Sequence, residues 1–201
     1  MTSLRTPNSN SKDFEKHPPG MAAARCYQVI DLGSHWDEKW KKTKRLVRVV
    51  FESTRLMADG RPFSIAKRYT LSHHEKAQLR GDLESWYGKR FDTKALDDAG
   101  GFDLAKLIGR PALINVVHSE DGKYANIATI TPLVDGMPEP PAVNPTLLFS
   151  LDAFDRAVFD KLSSWLQEFI ETSDERNPKA KVTTTAGGSP ADSGFDDDIP
   201  F

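Results

Sequence analysis

The chain has 201 residues, a formal net charge of −2 and one cysteine, which suits a single buried core with tails and is short for two. One cysteine excludes an internal disulfide and a multi-thiol metal cage, and without a long apolar run the sequence predicts no signal peptide, no membrane span and a cytoplasmic protein. Residues 1–90 hold 18 Lys and Arg against 10 Asp and Glu, and the remainder 9 against 19, a division that predicts a basic binding surface and a separate acidic segment.

Residues 1–22, with Pro7, Pro18, Pro19 and Gly20 among Ser, Asn and Lys, read as a flexible arm. Three stretches rich in β-branched and aromatic residues follow: ARCYQVIDLG, LVRVVFESTRLM and PFSIAKRYTLS. They predict a three-stranded meander, with Asp59-Gly60 as the turn between the second and third. Cys26 shares strand parity with Gln28 and Ile30 and is expected to be half-buried. The period then changes. Ser72 and Glu75 form a capping box for a helix that buries Leu79, Leu83 and Trp86, and GFDLAKLIGR gives a short helix stopped by Gly109. PALINVVHS and YANIATITPL are two more strands, joined by a tight EDGK turn.

Three strands, a helical connection and two strands is the element order of an OB-fold. The predicted fold class is therefore mainly β, a five-stranded OB-fold barrel over residues 23–134 with a helical connection between strands 3 and 4. A generic five-stranded α+β domain has the same element list. Residues 135–149, with four prolines in VDGMPEPPAVNPT, predict an extended strap or linker. Helical spacing resumes over 150–172 through Phe154, Val158, Leu162, Trp165, Leu166 and Phe169, with Ser164 and Gln167 as an internal cap. This segment is left open between packing on the barrel, sealing a homodimer and docking a partner. Residues 173–201 lack periodic apolar residues and predict a disordered acidic tail.

The candidate nucleic-acid-binding residues begin in the insertion between the first two strands: Lys39, Lys41, Lys42, Lys44, Arg45 and Arg48, with Trp36 and Trp40 among them. Cations track phosphates with a strong salt dependence, and indole faces stack bases. Lys67, Arg68 and Tyr69 extend the set from the third strand. Arg55, Tyr124 and Asn126 are weaker surface candidates. No catalytic residue, metal site or cofactor is predicted: His73-His74-Glu75 lacks the i, i+4 spacing of a zinc helix, and no phosphate-cradling lysine loop or GxSxG occurs. Carboxylate pairs such as Asp97-Asp98 and Asp152/Asp155 sit where helix caps are useful.

The chain ends on DSGFDDDIPF. Asp196, Asp197 and Asp198 can approach a basic rim while Ile199 and Phe201 enter an apolar pocket, with Pro200 narrowing the conformations between them. This tip resembles the acidic tip of bacterial single-stranded DNA-binding proteins, and the resemblance implies recruitment of replication or recombination enzymes. AARCYQVIDLGS, FSIAKRYTLSHHEKAQLRGDLESWYGK, GRPALINVVHS and YANIATITPL resemble the single-stranded DNA-binding proteins of tailed bacteriophages over roughly residues 20–171. That resemblance implies an OB-fold and sequence-independent coating of single-stranded DNA. The leading expectation is such a non-enzymatic coating protein, with a protein-interaction adaptor and a metal-dependent DNA-processing enzyme as alternatives.

Overall fold

The computed structural model describes residues 15–178. Its strands are β1 (Gly20–Asp37), β2 (Lys42–Leu56), β3 (Pro62–Thr70), β4 (Pro111–His118), β5 (Ala125–Thr131) and β6 (Leu147–Phe149). The helices are α1 (Gln78–Tyr87), α2 (Thr93–Asp98), α3 (Arg156–Phe159) and α4 (Ser164–Glu171), with a 3-10 turn over Leu104–Leu107.

The strands form one six-stranded sheet in the order β3-β2-β1-β4-β5, and β6 joins β1 off this path. The four neighbouring pairs of the path are antiparallel, whereas β6 runs parallel to β1. The expected five-stranded OB-fold barrel is therefore corrected to a mixed α/β fold on a six-stranded sheet that does not close into a barrel. β3 ladders only with β2, and β5 only with β4. The long first strand explains the sixth member: β4 covers its edge from Gly20 to Arg25, and β6 takes the edge at Gln28–Ile30.

The insertion expected as a loop is mostly strand. β1 and β2 pair as far as Asp37 opposite Lys42, leaving a four-residue turn in which Lys41 has a φ of +50°. Two register shifts, between Cys26 and Gln28 and between Asp31 and Gly33, interrupt the alternation of β1. Each bulge exchanges the faces of the residues beyond it. Cys26 and Val29 consequently enter one core, while Tyr27, Ile30 and Leu32 enter another. Cys26 is fully buried, and burial pushes its thiol up to about 12.

The first core packs the sheet around Phe51, Ile114 and Ile130 against Leu79, Leu83 and Trp86 of α1. Trp86 satisfies its indole N–H on the Pro111 carbonyl at 2.8 Å. The expected capping box does not form: α1 starts after Ala77 without a side-chain cap. Ser72 instead accepts from the His74 amide, and Glu75 from the Thr93 hydroxyl.

The second core answers the open question about residues 150–172. Phe159, Leu162, Leu166 and Ile170 pack on Tyr27, Ile30, Leu32 and Val50 of the same chain. The segment forms two helices: α3, capped by Asp155 at Ala157 and Val158, and α4, which starts after Ser163. Gln167, expected to cap a helix with Ser164, lies inside α4 and donates to the Phe159 and Leu162 carbonyls. The proline-rich strap is fixed from beneath by Glu52. This buried carboxylate pairs with Arg25 and accepts from Val143 N, Asn144 N and Asn144 Nδ2 at 3.2, 2.7 and 2.8 Å.

Candidate binding cleft

The unpaired edges of β3 and β5 border a cleft of about 810 Å³. Arg48 of β2 and Arg68 of β3 line it at opposed register positions, and Lys16 and Lys123 add charge. Trp165 and Tyr124 line it as well, and they are 51% and 50% exposed. The helical turn of α4 sets Trp165 and Phe169 four residues apart on the cleft side while Leu166 and Ile170 enter the second core. Phe169 is held by stacking on His35, with ring centroids 4.2 Å apart.

Arg48 is the distinctive member. Its guanidinium lies 4.9 Å from the centre of the Trp165 ring, and its Nε is buried without a hydrogen-bond partner. Among the described residues it forms no ion pair with a carboxylate. Burial lowers its pKa from the ordinary arginine value; Tyr27 opposes that shift and Arg68 adds to it. Burial lowers that of Arg68 too. A half-buried guanidinium without an anion is an unfavourable arrangement that an incoming anionic group would relieve.

The sequence-predicted residues fall into three places. At the hairpin end, Trp36 is exposed and donates from its indole N–H to Glu38, which also pairs with Lys41. Trp40 is half-buried between Lys39 and Lys44, whose ammonium groups lie 5.2 and 5.4 Å from its ring centre. Lys44 pairs with Asp37 at 3.1 Å, Lys42 stands opposite Asp37 in the ladder, and Arg45 is shared between Asp31 and Asp152. Arg48, Lys67 and Arg68 form the second group, in the cleft, where Lys67 is paired with Asp82 at 2.7 Å. Tyr69 stands alone in the first core: it is 4% exposed and its hydroxyl donates to Asp82 at 2.8 Å. The expectation that Tyr69 stacks bases is corrected, because β3 turns that ring inward, and burial pushes its phenol well up.

Sequence reasoning missed Trp165 and Phe169 as cleft residues because both belong to an apolar stripe that reads as core. The stripe was too wide for one buried face, and that width was the available signal. Lys16 and Lys123 lay in segments read as arm and turn.

Among the described residues no group of three or more His, Cys, Asp or Glu could hold a metal ion. Among them, too, no helix is long and apolar enough to cross a membrane. Asp196, Asp197, Asp198, Ile199, Pro200 and Phe201 lie outside the described residues.

No protein-family model matches the chain. No curated protein matches it either. The expected function of coating single-stranded DNA is withdrawn with the barrel on which it was built. The sheet is open, most of the hairpin cations assigned to phosphates are matched by carboxylates, and no family match supplies the activity.

Proposed function

We propose that the protein is a binding module that takes an extended anionic chain into the cleft between β3 and β5. The observation that carries this reading is Arg48, set on Trp165 with a buried, unpartnered Nε and no carboxylate partner among the described residues. Arg68 and Lys16 add positive charge along the cleft, where Glu15 also lines the wall and Lys123 pairs with Asp121 at 3.2 Å. Trp165 and Tyr124 offer flat apolar faces between the charges. Anions are attracted over a Debye length of about 8 Å at physiological salt and then held by charge-assisted hydrogen bonds.

The test is fluorescence anisotropy of labelled poly-glutamate and of a labelled oligothymidylate, titrated with full-length protein at several salt concentrations. Poly-glutamate binds with salt-dependent affinity. Arg48→Gln weakens it roughly ten-fold, the size of one charge-assisted hydrogen bond, whereas Lys41→Gln at the hairpin end leaves it unchanged. Absence of poly-glutamate binding, or equal affinity of Arg48→Gln and the parent protein, overturns the reading.

A further inference from the structure

We infer that Asp135 is a site of self-modification: of the three Asp-Gly pairs in the chain, at 59–60, 121–122 and 135–136, the third is the one that rearranges to isoaspartate in the folded protein. The site is independent of the cleft.

The rearrangement needs no enzyme. The glycine amide nitrogen attacks Cγ of the preceding protonated carboxyl. A C–N bond forms as the C–OH bond breaks, the amide proton and the hydroxyl leave as water, and a five-membered succinimide results. Water then opens the ring at either carbonyl. Attack at Cγ restores aspartate, whereas attack at the main-chain carbonyl leaves the chain running through Cβ and Cγ, with a free α-carboxyl and no net change in mass. Glycine is the least obstructed nucleophile because it carries no Cβ. The reaction therefore requires an amide released from hydrogen bonding and a carboxyl free to turn and to take up a proton.

Two of the pairs fail both requirements. The Gly60 amide donates to the Met57 carbonyl at 2.9 Å, and the Gly122 amide to the Ser119 carbonyl at 2.8 Å. Asp59 accepts from the Arg61 amide and guanidinium at 3.0 and 2.8 Å. Asp121 accepts from the Ser119 hydroxyl and the Lys123 amide at 2.6 and 3.1 Å. These bonds fix each carboxylate on its neighbours and hold it below the usual carboxylate range, and an ionised carboxylate has no hydroxyl to expel. At the third pair the turn is shifted by one residue. Its closing bond runs from the Met137 amide to the Val134 carbonyl at 3.0 Å, and Gly136, with a φ of +83°, takes the third position, whose amide closes no turn. Among the described residues neither the Asp135 carboxylate nor the Gly136 amide has a hydrogen bond or an ion pair. Val134 through Glu139 are exposed to the water that opens the ring. The added main-chain methylene falls between the end of β5 at Thr131 and Val143 and Asn144, which Glu52 holds, so the exposed stretch absorbs it and the fold persists.

The experiment incubates full-length protein for several weeks at neutral pH in heavy-oxygen water, with guanidinium-unfolded protein as the reference. Each passage through succinimide leaves one heavy oxygen, and peptide mapping with electron-transfer fragmentation locates it and the isoaspartate. In the unfolded chain the three pairs react at comparable rates. In the folded protein Asp135 acquires both marks, and Asp59 and Asp121 do so at least about ten-fold more slowly, the scale of one hydrogen bond that must first break. Asp135→Glu, for which ring closure would be six-membered, loses the signal with an unchanged thermal melt. Equal rates at the three pairs in the folded protein, a faster rate at Asp59 or Asp121, or no heavy oxygen at Asp135 overturns the inference.

Discussion

Three residues set the chain's dependence on pH and backbone shape. His17 is buried, bonded to Ser53 at 2.9 Å, and tilted against Phe63 at the cleft wall. Burial holds its pKa below the ordinary histidine value, with Arg55 and His118 acting in the same direction and the Pro18 carbonyl opposing them. The unfolded chain therefore binds the proton more readily. The contribution of His17 to stability is complete above a pH of about 6.5 and declines as pH falls below it. His17→Gln should flatten the urea midpoint between about pH 5 and 7. Glu52 acts in a lower window. Burial pushes its carboxyl up, but hydrogen bonds from Asn144, Arg25 and Val143 outweigh this and hold it below the usual carboxylate range. Its contribution is present above the unfolded carboxyl pKa of about 4.3 and is lost as pH falls through the folded value. Glu52→Ala should cost about 3–5 kcal/mol, since it leaves Arg25 buried and unpaired; chemical denaturation at pH 7 measures this. Gly33 has a φ of +84° at the second bulge, and an added Cβ would collide with Ser173 and Leu151. Gly33→Ala should destabilise by about 1–3 kcal/mol from overpacking, with further strain from φ.

At the scale of elements, the sequence disclosed which segments would be strands but not how they would meet. Hydrophobic alternation located β1 to β5 because burial of one strand face is written into residues such as Val47, Val49 and Phe51. The bulges of β1 were invisible, since Cys26, Tyr27 and Gln28 are compatible with either parity until the partner strands fix it. β6 was equally hidden. Leu147–Phe149 is three residues long after a proline-rich segment, and only the uncovered edge of β1 makes it a strand. Of the site, Arg48, Lys67 and Arg68 were legible from charge, whereas Trp165 was concealed by an apolar stripe that serves two surfaces. Trp165 and Leu166 should separate by substitution. Trp165→Ala should weaken ligand binding several-fold with little loss of stability, because the ring is half-exposed. Leu166→Ala should cost about 2–5 kcal/mol; paired thermal melts and anisotropy titrations distinguish the two.

For the whole molecule, the division of charge read from the sequence has a structural counterpart only in part. The basic half supplies β1 to β3, yet acids of the same half neutralise several of its cations, as Asp31, Asp37 and Asp82 do. The route of the chain also governs when the molecule can be completed during synthesis. Strand β1 receives its last neighbours from β6 and from Asp174 and Glu175, which bond to Ser34 across 140 and 141 positions of sequence. A nascent chain that has emerged only through β5 still exposes Tyr27, Ile30, Leu32 and Val50. Such distant closure slows folding and leaves an adhesive intermediate on the ribosome, so chaperone demand falls on the interval before α4 emerges.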